Sequence, residues 1–555
     1  MKKRLISYFI AVAMVLSVLL SSVGCDLSAF EQLLVIPEDD MTPSKTTDDG
    51  YETTYEEAEE TDVETEESKD EEKTTKKRPS VSATETRAPI ETEFETEIEI
   101  ETFYPDYTDY PVPPEIETDN GWYPEDTVEP EYPIDPSLPP HYGELYGYET
   151  FLIAAVKERT NIFYVHGMEN EYNVLADIAI DRNHFISSEY DIDIANKYVD
   201  SVQDLYELVN NSFASGDQSV QAFISPSGAG ISQYVMRDQL LDLRALNINL
   251  DASYWDYSMM ENLSVDGKLL AGFGDMLATD ADIILFNKDM ASNRMIENLY
   301  DVVYDGRWTL EELNSAILMS GYCDLNGDGM TDEDDAYGLV FDSNLYLDSF
   351  IFSSGISPIG IDYASGERFL DINNNFFRVY DYLENMVKNS RDVYRTEVHS
   401  VTNMFTRGNA LFTLTNTSNI SKYIYSDSPF GILPYPKAEI DQAEYQSLYR
   451  GGYICVLGNI ENPDLVGTSL DLLNYFGSGL ESQLWFKTLS SDDDIKMMDL
   501  IRGGLVSDFA RVVARDRLTN LVTIYSKTMI DGSYIHVECD KYSESWEAAI
   551  KQYLV

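Results

Sequence analysis

Between Asp26 and about Glu144 the chain offers almost nothing that could be buried, and this removes a fifth of its length from any folded core. The segment is built from Glu, Thr, Asp and Pro, with runs such as Glu91 to Thr102 that alternate acid with Thr, Phe or Ile. Residues 26–145 hold 37 acidic and 7 basic side chains, −30 of the chain's formal net charge of −61. Such a composition does not offset its ordering entropy, so the sequence predicts disorder here. The period-two alternation imitates a strand, but like charges on one face oppose pairing. Residues 25–145 therefore read as a self-repelling tether, whose coil scaling gives an end-to-end distance of roughly 60 Å before repulsion and Pro extend it.

Upstream stand Lys2, Lys3 and Arg4, an apolar run from Leu5 to Leu20, and Ser-Ser-Val-Gly before Cys25. The run length fits a secretory signal over residues 1–24 rather than a spanning helix. Gly24-Cys25 resembles a bacterial lipobox, with Ser22 where that motif usually has Leu. That resemblance implies a lipid anchor on Cys25; an ordinary cleaved signal followed by a chance cysteine is the other reading. The remaining cysteines, Cys323, Cys455 and Cys539, allow at most one disulfide, and no CxxC or Cys/His zinc spacing occurs. The negative charge argues against nucleic acid or an anionic membrane surface as a partner, because phosphate-binding faces need clustered Lys and Arg.

The folded part starts near Tyr146. Strands are expected at Asn161–His166, Tyr190–Ile194, Ser219–Ile224, Ile283–Asn287, Tyr337–Phe341, 408–412 and 451–456, with Phe430–Lys437 as a further extended segment. Helices are expected at Asp177–Ser188, Ser201–Ala214 and Ile231–Leu243, and one opens at Thr309 with Glu312 as its capping-box partner. From Asn462 the chain reads as mainly helical. Alternation of strand and helix predicts an α/β fold with mostly parallel sheets.

One stretch specifies chemistry by spacing alone. Asp324, Asn326, Asp328, Asp332 and Asp335 fall at positions 1, 3, 5, 9 and 12 of a calcium loop, with Gly329 at the sharp turn and the Met330 carbonyl at position 7. A solvated acidic turn is the competing reading. Asp335 stands where Glu is usual, one methylene shorter.

The order of several short segments resembles the extracellular solute-binding proteins of ABC importers, the sugar-binding, maltose-binding-protein-like class, over roughly residues 160 to 500. They are Ala214-Ser-Gly-Asp217, the Gly-rich turn Ser225–Gly230, Leu240-Leu-Asp-Leu243, Asp266-Gly-Lys-Leu-Leu270 and Phe286-Asn-Lys-Asp289. They continue with Gly306-Arg-Trp-Thr-Leu-Glu-Glu-Leu313, Phe405-Thr-Arg-Gly-Asn-Ala-Leu-Phe412 and Phe430-Gly-Ile-Leu-Pro-Tyr-Pro-Lys437. The resemblance implies a two-lobed periplasmic-binding-protein-like fold of type II over residues 146–555. Lobe 1 would span about 146–285 plus about 438–490, and lobe 2 about 286–437 plus the C-terminal helices.

It further implies a monomeric receptor, lipid-anchored on the outer face of a Gram-positive-type cell membrane, that passes a small solute to ABC permease subunits. The solute is expected to be a sugar, with calcium as a structural cofactor. Open α/β sheets bind ligands beyond the carboxyl ends of their strands, where loops and helix N-termini offer free N–H groups. The candidates there are His166, Ser225, Ser227 and Asp275, each of which a plain structural role would also explain. Trp255, Tyr453 and Trp485 offer aromatic faces for a sugar or packing for the core. Asn416 is a polar contact where maltose-binding relatives carry a Trp. No HExxH, GxSxG or GxxxxGK[ST] occurs, so no catalytic residue is assigned. The alternative is a surface polysaccharide-binding or glycan-degrading lipoprotein.

Overall fold

The computed structural model describes residues 138–157, 174–396, 398–489 and 491–553. The leader, Cys25, almost all of the acidic segment and the expected strand Asn161–His166 lie outside the described residues.

Two sheets organise the chain. The first contains β1 (Glu149–Val156), β2 (Ile192–Val199), β3 (Ala222–Pro226) and β9 (Gly452–Val456), in the order β9-β3-β1-β2. β2, β1 and β3 are parallel, with Phe151 opposite Ile194 and Ile153 opposite Ala222, and β9 closes the edge antiparallel to β3. The second contains β4 (Asp282–Asn287), β5 (Tyr337–Phe341), β6 (Val393–Arg395), β7 (Ala410–Asn416) and β8 (Phe430–Leu433), in the order β8-β4-β7-β5-β6. β6, β5 and β7 are parallel; β4 runs against both β7 and β8. Every residue of β3, β4, β5, β7 and β9 is buried, as strands covered by helices on both faces require.

The helices form where capping and periodicity agree. Ser201 accepts a hydrogen bond from Asp204 N to start Val202–Ser215, and Gly216 ends it at φ 66°. Thr309 does the same for Glu312 N at the start of Leu310–Ser320. In Asn374–Lys388 the buried set Phe376, Val379, Tyr380, Leu383 and Met386 makes one apolar stripe at helical spacing.

The structure departs from the sequence reading in two places. It already has a strand, β1, at Glu149–Val156, ahead of the stretch where the sequence reading begins the sheet. The expected helix Ile231–Leu243 shrinks to Ser232–Val235, because Asp238 turns to φ 51° and Leu240 bridges to Leu457 beside β9. Apolar spacing there serves a sheet edge instead of a helix face.

After β9 the chain covers both sheets in turn. Helix Pro463–Tyr475 packs on β1, Asp492–Gly503 on β8, and Thr519–Asp531 on Leu345–Ser353 and Asn374–Lys388. A two-stranded hairpin, Ile359–Ile361 with Arg368–Leu370, belongs to the chain connection from β5 to β6.

Candidate functional site

Three chain segments meet between the sheets as a hinge. Residues 279–281 pass from the first sheet into β4, 447–450 pass back into β9, and 504–507 run beside them from Asp492–Gly503 into the C-terminal helices. Ala281 bridges antiparallel to Tyr449, and Arg450 N donates to Asp280 O at 2.6 Å. Ser447–Leu448 pairs in parallel with Leu505–Val506. Thr417, just past β7, ties the hinge to the second sheet: its N–H donates to Ala281 O at 2.9 Å, its hydroxyl accepts from Ala281 N at 3.1 Å, and the same hydroxyl donates to Thr279 O.

Gly504 has no room for a side chain, since a Cβ would lie 2.2 Å from Tyr445 O.

Beside this hinge the ends of β3, β4, β7 and β9 converge on a buried cluster of charge. Arg450 donates from Nε to Asp282 Oδ2 at 2.8 Å and from Nη2 to Leu345 O at 2.6 Å. Ser349 donates to the same Asp282 oxygen at 2.5 Å. Arg511 donates to Asp348 Oδ2 at 3.2 Å and has Asp508 at 3.7 Å. Asp282, Asp348 and Asp508 are at most 5% exposed. Burial pushes the Asp348 carboxyl up to about 6 despite the opposing Arg511 and Arg450, and raises Asp508 as well. Burial also lowers the Arg511 guanidinium, with the like charge of Arg450 adding to the effect. Arg450 Nη1, Arg511 Nε and Asp348 Oδ1 make no hydrogen bond among the described residues. Two donors and one acceptor thus remain unspent where the lobes meet, each costing about 1–3 kcal/mol while unpaired.

The candidates read from the sequence fall in different places. Ser227 and Asn416 join the cluster: Ser227 Oγ donates to Arg450 O at 2.6 Å, and Asn416 Nδ2 to Asp282 Oδ1 at 3.4 Å. Asn416 is also the N-cap of the turn at Thr417–Lys422, accepting from Ser418 N at 2.8 Å. Ser225 lies within β3 opposite Tyr453 of β9 and is 2% exposed. Tyr453 is fully buried beside Phe273 and Tyr449, its hydroxyl 2.6 Å from Ser507 Oγ.

Trp255 is 4% exposed and gives its indole N–H to Asp471 Oδ1 at 2.8 Å. Trp485 is core, on Leu480–Thr488. For these aromatics the packing reading applies, because no ring face is left open. Asp275 pairs with Arg502 at 3.0 Å and accepts from Ser478. His166 lies outside the described residues. Arg450, Asp282, Asp348, Asp508 and Arg511 are absent from the sequence candidates: they come from four separated segments, Asp508 and Arg511 sharing one, and no local pattern marks them as a group.

The loop Asp324–Asp335 is drawn into shape by its own side chains. Asp324 accepts from Gly327 N at 2.6 Å and Gly329 N at 3.0 Å, Asn326 from Asp328 N at 2.9 Å, and Asp328 from Met330 N at 2.7 Å. Asp332 accepts from Asp334 N at 3.0 Å, and Asp335 from Leu325 N at 3.2 Å. Gly329 sits at φ 77°, the left-handed turn expected at position 6. Tyr322 Oη lies 2.9 Å from the Met330 carbonyl and 2.8 Å from Asp335 Oδ2. Asp335 is fully buried, accepts from Tyr322 Oη and Leu325 N, and has no ion-pair partner among the described residues. No group of three or more His, Cys, Asp or Glu side chains among the described residues is gathered as metal ligands.

Two sheets, a three-segment hinge and a polar cluster at the junction define a two-lobed α/β binding-protein architecture. No family model matches the chain, and no curated protein matches it. Among solved structures it is similar to the sugar-binding protein MalE from the phytopathogen Xanthomonas citri, with a TM-score of 0.52 at 12% identity, covering 73% of this chain and 98% of that one. It is also similar to a sugar transporter protein from Rhizobium etli in an open conformation, with a TM-score of 0.50 at 13% identity, covering 73% and 99%. The fold is the two-lobed α/β fold of MalE-like binding proteins.

Proposed function

We propose that this protein is a solute receptor that closes its two lobes on a small polyhydroxylated solute, a carbohydrate, and delivers it unchanged to an ABC permease. The observation that carries the reading is the buried cluster at the hinge. Sugar hydroxyls both donate and accept, and they match a site with Arg450 Nη1 and Arg511 Nε as unspent donors and Asp348 Oδ1 as an unspent acceptor. Asn416 and Ser227 border that site. The two similar structures, a sugar-binding protein and a sugar transporter, support the same reading. An anchor on Cys25 at the outer membrane face, with residues 25–145 as the tether, belongs to this reading. So does a calcium ion held by Asp324, Asn326, Asp328, the Met330 carbonyl, Asp332 and Asp335, which would draw these oxygens together and neutralise Asp335.

A thermal-shift panel of mono- and oligosaccharides tests the proposal. A saturable rise of Tm is expected for one class of sugar, about 2.7 kcal/mol of stabilisation at a hundredfold excess over Kd. The sugar should be recovered intact. Cleaved glycosidic bonds in the recovered sugar would overturn the reading in favour of glycan degradation.

A further inference from the structure

Beyond the hinge the two lobes touch at a second place, through the hairpin Ile359–Ile361 and Arg368–Leu370. Its turn is fixed by Asp362, which accepts from Ala364 N at 2.9 Å, and by Asp362 N donating to Glu367 O at 2.9 Å. The Phe369 ring is laid across Gly360, so that a Cβ there would lie 2.5 Å from it and push the ring aside. The base of the hairpin packs against the helix Ile535–Tyr553. That helix packs in turn on Thr519–Asp531, so the hairpin belongs to the second lobe.

Its other side meets the first lobe. Arg368 Nη2 donates to Ser264 O at 2.7 Å and lies 3.5 Å from Glu261 O, carbonyls at the C-terminal end of the short helix Tyr257–Asn262. Tyr363 Oη donates to Asn262 Oδ1 at 2.5 Å. Residues 240–274 belong to the first lobe, since Leu240 and Gly272 bridge to Leu457 and Ile454. The Arg368 guanidinium is stacked 4.0 Å from the centre of the Phe509 ring, and Phe509 follows directly on the third hinge segment.

We propose that the hairpin 359–370 is a latch between the lobes, with Arg368 as its bolt. The hairpin is separate in the chain from the hinge segments, and its hydrogen bonds to residues 261–264 can part while the pairing of 447–448 with 505–506 stays intact. The bolt is also poised to release. Arg368 is 5% exposed, has no carboxylate partner among the described residues, and its Nε–H makes no hydrogen bond there. Its cation is held by two carbonyl dipoles, the Ser264 hydroxyl at 3.4 Å and a ring face, neutral partners that offset the lost hydration incompletely. Opening returns the guanidinium to water and frees the two carbonyls, so the closed contact is stable but shallow. A buried Arg–carboxylate pair at the same place would hold far more rigidly.

Hydrogen–deuterium exchange on the full chain without solute tests the latch, whatever the cleft binds. In Arg368→Ala, amides of 257–264 and 359–370 should lose protection together, by about tenfold, with β1 and β5 unchanged. Tyr363→Phe removes one oxygen from an exposed contact and should give a smaller loss in the same two segments. Faster exchange confined to 359–370, or no change at 257–264 in either variant, would overturn the latch. Should Arg368→Ala lose protection throughout the protein, the Tyr363→Phe result decides alone. A failed sugar panel with a positive exchange result would count against the proposed solute and leave the latch standing.

Discussion

At the scale of single residues, burial decides what a charge does. Arg450 and Asp282 stand at the junction of the lobes, and Asp282 is fully buried. Removing one partner strands the other charge, so Arg450→Ala should cost about 3–5 kcal/mol in urea unfolding. The double variant with Asp282→Asn should recover part of the loss. His141 is a second case. Its ring nitrogens lie 3.1 Å from Asp471 Oδ2 and 3.2 Å from Glu144 Oε2, with Thr468 Oγ1 at 3.3 Å.

Burial works to lower the His141 pKa, but the hydrogen bond to Asp471 and the charges of Glu144 and Asp471 prevail, and it is raised above 6.5. A raised histidine stabilises the fold fully below its unfolded pKa and loses that contribution as pH rises through the folded value. Tm should therefore fall from pH 6.5 upward more steeply in the wild type than in His141→Gln. Parallel Tm curves for the two proteins would contradict this.

At the scale of elements, the hinge and the acidic loop carry the consequences. Gly504→Ala would place a methyl 2.2 Å from the backbone oxygen of Tyr445, where no side-chain rotation can relieve it. The expected cost is about 1–3 kcal/mol, read by denaturant unfolding. The loop Asp324–Asp335 precedes β5, and Glu333 within it reaches over to accept from Thr396 Oγ1 at 2.5 Å, just past β6. Metal removal should thus loosen the edge of the second sheet without touching the hinge. Chelation should lower Tm by a few degrees, and calcium alone should restore it, with sugar binding retained. Superimposable melting curves with and without chelator would argue against a bound ion.

At the scale of the molecule, the lobes meet through the hinge, the charge cluster and the hairpin. The alternation of strands and helices was legible in the sequence, as were the cap at Thr309 and the strands at Ile283–Asn287 and Tyr337–Phe341. These depend on local spacing and propensity, which the chain states residue by residue. The placement of Gly329 at a left-handed turn was legible for the same reason. The helix at Ile231–Leu243 was misread because apolar spacing does not say which neighbour a side chain will find; there the neighbour was the edge of β9.

The site divides along the same line. The sequence by itself determined an acidic leader segment, an α/β alternation and an acidic loop with calcium spacing. It could name Ser227 and Asn416, which follow strand ends. Only tertiary structure decided that Trp255 and Tyr453 are spent in the core on Asp471 and Ser507. Only it brought Arg450, Asp282, Asp348, Asp508 and Arg511 together from up to 229 positions apart in the chain. The physical reason is that a charge becomes expensive only once folding removes its water, and which carboxylate then faces which guanidinium depends on a three-segment hinge that no local stretch encodes.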